Sequence, residues 1–432
     1  MENTNQMKLN DWKRALTEGR LDARLAGLYG SDALNAQKER YQSALAEFAL
    51  RYGEDREVTL FSVPGRSELS GNHTDHNHGR VIAASVDLDV IAVASPRTDR
   101  VIRIKSEGHD EDVVDPAIFS APDPAFYGNS SALVAGMANG FCKLGLAIGG
   151  FDAYTTSNVP TGSGLSSSAA FEDLVGTILN HFYNDGKVDF VTIAKLSQKA
   201  ENAYFGKPCG LMDQVACAAG GIVTIDFCDP ADPAIERIPF DFTAAGYRLC
   251  IVNTGGNHAD LTPDYAAVPA EMKAVANCFG KSVLREVPES DFMDALPKLR
   301  EKVGDRAILR AQHFFAENRR VEEQVNALKE GRLQDFLRLV LASGRSSFCY
   351  LQNIYTNQNV AEQGLSLALS LAETILSDTE AAWRVHGGGF AGTIQAFVPE
   401  RMIPVFRKTM DDLFGAGHCM VLSIRKEGCT KI

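Results

Sequence analysis

Domains usually run to about 100–200 residues, so a chain of 432 residues is long enough for two, each with its own core. Hydrophobic residues make up 45% and charged residues 23%, an ordinary globular balance. The net charge of −12, from 43 basic and 55 acidic residues, argues against a nucleic-acid partner, which needs clustered Lys and Arg; a small phosphate-bearing molecule, held by a few local groups, stays possible.

The nine cysteines form no CxxC pair and fit reduced, buried thiols. The opening MENTNQMKLNDWKRAL has no apolar core and predicts no signal peptide. No stretch approaches the run of about 20 apolar residues that spans a bilayer. The expectation is a cytoplasmic monomer with no membrane partner.

Residues 11–52 read as helical, with Leu34, Tyr41, Leu45 and Phe48 at helical spacing. Strand signals follow in TLFSVPGR, in VDLDVIAVAS with its period of two, and in VIRIKS. Helical segments come next: SALVAGMANGFCKLG, SSSAAFEDLVGTILNHFYN and DFVTIAKLSQKAENAYFG. In the second of these, Ala170, Leu174, Ile178 and Phe182 form one apolar stripe. GGIVTIDF and YRLCIVNTGG read as strands, and CDPADPAIERIP between them is the candidate boundary. The second half carries the long helical ILRAQHFFAENRRVEEQVNAL and closes on the strand-like GTIQAFVP and CMVLSIRK. Strands followed by helices indicate an α+β fold rather than alternating βαβ units.

Three segments carry chemistry. In NVPTGSGLSSSAAFEDL, Gly162 and Gly164 permit a tight turn, and Ser166, Ser167 and Ser168 lead into a helix whose free amides and dipole suit an anion. It is neither a Walker loop nor GxGxxG. The plainer reading is a serine N-cap, but a cap needs one serine, not three. RVHGGGFAGT is either a tight turn before TIQAFV or a glycine-lined wall of a nucleotide pocket. In QKAENAYFGKPCGLMDQVACAAGG, Glu201 sits on a predicted helix. Asp213 follows in a loop, where Leu211, Met212 and Val215 are expected to desolvate it, raise its pKa and make it a better base. It could instead cap the helix QVACAA.

Four segments in order resemble the signatures of galactokinases in the GHMP kinase superfamily: VPGRSELSGNHTDHNHGRVIAASVDL, PTGSGLSSSAAFE, AENAYFGKPCGLMDQ and GGGFAGT, spanning residues 63–393. The resemblance implies two domains, a ribosomal-S5-like α/β domain over residues 1–230 and a ferredoxin-like α+β domain over 231–432, with the site between them. It implies ATP-dependent phosphorylation of a sugar at its anomeric hydroxyl, with magnesium. Asp213 matches the catalytic Asp and Arg66 the Arg beside it. Ser168 and Glu201 match magnesium ligands. Asn72, His73, Asp75, Gly210 and Tyr265 match positions that line the sugar, and Gly162, Ser163, Gly164, Leu165, Ser166, Ser167 and Ser168 match the phosphate loop. Tyr127 stands where the family often has a Trp beside adenine. His73 and Asp75 therefore read as sugar ligands rather than zinc ligands, which so short a loop rarely completes alone. His76 and His78 receive no role.

Three positions depart from that pattern. Galactokinases usually carry Glu where Asn72 stands, Asn where Glu68 stands and Tyr where His76 stands. The Arg pair that often follows the pocket Tyr is absent. The resemblance implies galactose as acceptor, or a related amino, deoxy or N-acetyl sugar. A non-catalytic sugar sensor is disfavoured by the complete GLSSSAA and by Asp213. A mevalonate or homoserine kinase is disfavoured by HTD and GLMDQ, and a dinucleotide-binding dehydrogenase by its missing strand context.

Overall fold

The computed structural model describes residues 6–160, 162–256 and 261–432. The first five residues of the opening stretch, Thr161 of the glycine–serine loop and residues 257–260 lie outside the described residues. Among the described residues, no helix is long and apolar enough to cross a membrane.

Two sheets organise the chain. The first is built on two long strands, Glu57–Ser70 and Arg80–Pro96, paired antiparallel. The second of these pairs along one half with Phe151–Ser157 and along the other with Ile222–Asp226. The strand Ala234–Ile238 falls inside the Pro- and Asp-rich boundary segment, yet it still pairs with Ile222–Asp226 in this first sheet. The second sheet has the order Ala382–His386, Thr393–Pro399, Tyr247–Asn253, Cys419–Leu422, all antiparallel. The fold is α+β in two lobes, and the chain passes between them after Ile238.

Predicted elements recur with finer boundaries. Residues 11–52 form three helices, Leu9–Thr17, Asp22–Tyr29 and Leu34–Tyr52, which bury Trp12, Tyr41, Leu45 and Phe48 against one sheet face. The helices Ser130–Lys143 and Ser167–Tyr183 pack on the other face through Met137, Phe141, Leu174 and Ile178. A third cluster joins the lobes: Leu69, Val159 and Leu165 from the first meet Leu249, Phe336 and Phe397 from the second. Each such side chain is worth about 1.5–3 kcal/mol when fully buried, so the seam beneath the site is a core rather than a loose contact.

The strand Glu57–Ser70 shifts register at Pro64/Arg66 and again at Glu68/Ser70. Proline lacks the ladder donor, so a bulge there is expected. Gly65 faces the carbonyl of Leu165; a Cβ at that position would come within 2.7 Å of the oxygen. The absent side chain lets the glycine–serine loop lie directly against the strand, and the Arg66 amide donates to the same carbonyl at 3.0 Å.

A buried cluster ties the two chain ends together. Asp89, fully buried, accepts from Arg40 at 2.6 Å, Arg425 at 3.0 Å and Tyr29 at 2.6 Å, and from the Ser62 hydroxyl. Burial alone pushes the Asp89 carboxyl up, but Arg40 and Arg425 outweigh it and hold it below its ordinary value. Replacing Asp89 with Ala strands Arg425 in the interior and is expected to cost about 3–5 kcal/mol, measured by urea unfolding. The sign in pH follows from the depressed pKa. The wild type keeps this contribution above the unfolded value of about 3.9 and loses it as pH falls through the lower folded one. The gap between variant and wild type should narrow in acid; a gap that widens there contradicts the assignment.

Candidate active site

The glycine–serine loop runs through three left-handed residues, Gly162, Gly164 and Ser166, before the helix Ser167–Tyr183 begins. Ser166 occupies the N-cap position, but its side chain makes no cap hydrogen bond; its hydroxyl donates to Asp213. The first amides of the helix are thus left free of a side-chain cap, as an anion site requires. Beside this helix start lies a cavity of about 380 Å³, lined by Ser106, His109, Thr155, Ser167, Ser168 and Phe171 among others. The side chains of Ser163 and Leu165 point into the protein: Ser163 donates to the Pro160 carbonyl at 2.7 Å and Leu165 is fully buried. These two offer a ligand only backbone. Tyr127 is half-exposed and lies across Gly206.

Asp213 stands in the first turn of the helix Met212–Ala219, not in a loop, and the helix carries no side-chain cap. Arg66 grips it with both arms: Nε donates to Oδ1 at 2.8 Å and Nη2 to Oδ2. Nη1 donates to the Gly164 carbonyl. The expected rise in pKa does not occur. Burial pushes the carboxyl up, as the apolar neighbours suggested, but the Arg66 charge and hydrogen bonds, with Ser166 and Lys207, hold it below its ordinary value. A bidentate guanidinium outweighs desolvation here.

Glu201 sits in a π-helical turn, Ala200–Phe205, that continues the helix Phe190–Lys199. Its Oε1 is 3.4 Å from the Ser168 hydroxyl and accepts from Lys207 Nζ at 2.8 Å; its Oε2 accepts from Gln214 at 2.9 Å. One hydroxyl and one carboxylate converging beside the helix start are the hard-oxygen donors magnesium prefers. Sequence reading missed Lys207, whose only signal was a Lys after the turn glycine of AENAYFGK. It also missed Glu172, buried with Oε1 unpartnered, whose carboxyl burial, Glu201 and Asp173 push well up.

On the other side of Asp213, the loop Gly71–Gly79 carries the histidines. His73 is left-handed and buried; its Nε2 donates to the Gly388 carbonyl at 2.8 Å. Burial lowers its pKa to about 4, so it is neutral and its Nδ1 can accept. Asp75 lies beside Gly210, where a Cβ would come within 3.1 Å of its Oδ2. Tyr265, on the helix Thr262–Asn277, packs over Gly388 and has its ring 5.2 Å from that of His73. Partial burial, then the charges of Asp75, Glu68 and Asp213, push its phenol up and keep it protonated. Asn72 is fully buried among protein partners. His76 is 4.0 Å from Asp75, and His78 ends the short turn in a left-handed conformation.

The GGGFAGT loop is the turn between strands Ala382–His386 and Thr393–Pro399. Its Gly387 and Gly388 carbonyls face the histidine loop, so its wall stands on that side of the site. Six non-glycine residues among those described are left-handed; two of them, His73 in the histidine loop and Ser166 in the glycine–serine loop, carry side chains of this site. Such backbone strain is held only where surrounding structure over-determines it, and it clusters at functional sites.

With this geometry, the relatives are informative. Residues 132–221 match the profile described as GHMP kinases N terminal domain, and residues 46–96 the galactokinase galactose-binding signature. The chain is 32% identical over 368 residues to a galactokinase of Streptomyces coelicolor, covering 84% of this chain and 90% of that protein. It superposes on the Lactococcus lactis galactokinase complexed with galactose with a TM-score of 0.75 and 27% identity, over 91% of this chain and 100% of that one. The Methanococcus jannaschii mevalonate kinase shares the fold, with a TM-score of 0.59 and 16% identity over 86% of this chain and 98% of that one.

Removing the guanidinium tests the electrostatics directly. In Arg66→Met, burial acts on Asp213 against only Ser166 and Lys207, and its titration by carboxyl ¹³C NMR should move up by about 1–3 pH units. An unmoved titration would mean that Arg66 does not set this pKa.

Proposed function

The chain belongs to the galactokinase family of GHMP kinases and is an ATP-dependent sugar kinase, and we propose that it transfers the terminal phosphoryl group of ATP to the anomeric hydroxyl of galactose. The observation that carries this reading is the Arg66–Asp213 pair. It is clasped by the glycine–serine loop on one side, and Asp75, Gly210, His73 and Tyr265 gather on the other.

Phosphoryl transfer asks a protein mainly for positioning and charge neutralisation. ATP phosphates would lie on the free amides of the helix Ser167–Tyr183, with the nucleoside toward the neighbouring cavity. Asp75, the His73 Nδ1, the Tyr265 hydroxyl and the Gly210 backbone would hold the sugar hydroxyls. Asp213, kept ionised, accepts the hydrogen bond of the anomeric hydroxyl and takes its proton as the new O–P bond forms and the bond to ADP breaks. Arg66 fixes the carboxylate and offers charge to the transferring group, and Lys207 adds a second cation. Ser168 and Glu201 would hold magnesium, which supplies neutralisation of the phosphate charge. No covalent enzyme intermediate is required.

Galactose is favoured over related sugars by the L. lactis enzyme, described as a galactose complex, and by the galactose-binding signature. A related amino or deoxy sugar is the second reading, motivated by Glu68 and Asn72. The test is magnesium-dependent ATP consumption against galactose, N-acetylgalactosamine, deoxy and amino galactose, arabinose, fucose and glucose. Galactose should lead; a different leader moves the acceptor, and ATP binding without turnover of any sugar favours a sensor.

Asp213→Asn should lower kcat by about 10²–10⁴-fold while ATP binding persists. Activity near wild type in that variant removes Asp213 from the chemistry.

A further inference from the structure

The two residues that set the sugar pocket apart have unequal capacity to touch a ligand. An Asn side chain can donate two hydrogen bonds and accept two. In Asn72 all four are taken by protein. Nδ2 donates to the Gly387 carbonyl at 2.7 Å and to Glu68 Oε1 at 3.2 Å; Oδ1 accepts from Asn353 at 2.8 Å and from Ser347 at 3.3 Å. His313 also donates to its backbone carbonyl at 3.0 Å. The residue has no exposed surface.

Glu68 is the opposite case. Its Oε1 takes both Asn72 and Arg384 Nη2, the latter at 2.7 Å. Its Oε2 has no hydrogen-bond partner among the described residues, and 8% of the side chain stays exposed. With that exposure, a donor from outside the protein can reach the free oxygen. The direction of this free oxygen follows from the strand. Arg66, Ser67 and Glu68 lie in an unbroken stretch of register opposite Ser85, Ala84 and Ala83, so residues 66 and 68 face the same side. That side holds Asp213. The Glu68 charge also acts on Tyr265 and on Arg66, and that of Asp75 acts on Glu68.

We propose that Glu68 is a specificity residue of the sugar pocket, accepting through Oε2 from a hydroxyl or amino donor of the acceptor sugar, and that Asn72 is a positioning residue that does not touch the sugar. This deepens the sugar-kinase reading and rests on it. It names the acceptor class: a sugar with a hydrogen-bond donor, not a deoxy carbon, at the position facing Glu68.

Glu68→Gln gives a directional test. Arg384 and Asn72 both require an acceptor at the Oε1 position, so the Gln carbonyl must sit there and its NH₂ must replace Oε2. An acceptor becomes a donor. For sugars bearing the contacted hydroxyl, kcat/KM should fall by about ten- to a hundred-fold, while the matching monodeoxy sugar, found by screening galactose against its monodeoxy analogues, should lose nothing. Asn72→Ala should weaken all sugars by one common factor. Equal losses on every sugar in Glu68→Gln, or a sugar-selective loss in Asn72→Ala, overturn the proposal and leave the kinase reading intact. A wild type that consumes ATP with no sugar removes the reading and this assignment together. Should Glu68→Gln show no thermal transition and no ATP binding, Glu68→Asp, which keeps a charge beside Arg384, carries the same comparison with the same two outcomes.

Discussion

The site depends on one guanidinium. Arg66 holds Asp213 through two parallel hydrogen bonds, holds the glycine–serine loop through the Gly164 carbonyl, and is itself placed by its amide on the Leu165 carbonyl. The group proposed to receive the sugar proton and the loop proposed to receive the phosphates are thereby fixed to one side chain. A phosphoryl donor and acceptor must be brought into line at short range, and here the alignment is built before either arrives. The pair is costly to bury, and the bidentate geometry, with Ser166 and Lys207, offsets that. A consequence is that Asp213 is a weaker base than an isolated buried carboxylate. That suits a loose transition state, in which orientation of the hydroxyl matters more than removal of its proton.

A second constraint is that the sugar side of the site is shared between the lobes. Asn72 and His73 come from the first lobe but bond the Gly387 and Gly388 carbonyls of the second. Arg384 reaches back from the second sheet to Glu68 and to the Leu69 carbonyl, and His313 reaches the Asn72 carbonyl. These bonds lie above the apolar seam of Leu69, Leu165, Leu249 and Phe397. The pocket walls are thus set by packing between lobes, not by the histidine loop alone. This is why the crowded sequence GNHTDHNHGR misleads when read by itself. Its His73 is spent partly on a backbone carbonyl, and its Asp75 divides its two oxygens, Oδ2 beside Gly210 and Oδ1 4.0 Å from His76.

The legible parts of the sequence were those governed by local rules. The strand periods, the stripe Ala170–Leu174–Ile178 and the glycine turn before a helix follow from backbone sterics and burial, which a short window contains. The assembled pairs Arg66–Asp213 and Ser168–Glu201 join segments 147 and 33 residues apart, and no window contains them; the family resemblance brought them together. The Asp213 pKa was misjudged for the same reason: Leu211, Met212 and Val215 are neighbours in sequence, whereas Arg66 is a neighbour only in space. Lys207 and Glu172 were missed because a lone Lys or Glu carries no pattern. Ser166 was read as a possible cap because its position is right for one; only its hydroxyl direction, toward Asp213, separates the two roles.

Acceptor choice was the least legible property, and the physical reason is a count. Whether a polar side chain can bind a ligand depends on how many of its hydrogen-bonding capacities the protein leaves unused. Residue type gives the total, four for Asn72 and four lone-pair sites for Glu68, but the fold decides the remainder. For Asn72 the remainder is zero, because Gly387, Glu68, Asn353 and Ser347 arrive from four distant or turned segments. For Glu68 it is one whole oxygen, because Arg384 and Asn72 converge on the other. Exchange of an acid and an amide between positions four apart therefore does more than move a charge. On the proposed roles it places the ligand-facing oxygen on the strand, next to Arg66, so the residue proposed to select the sugar and the residue that holds Asp213 stand on one face of one strand. Any shift of that strand would then move acceptor recognition and catalytic alignment together.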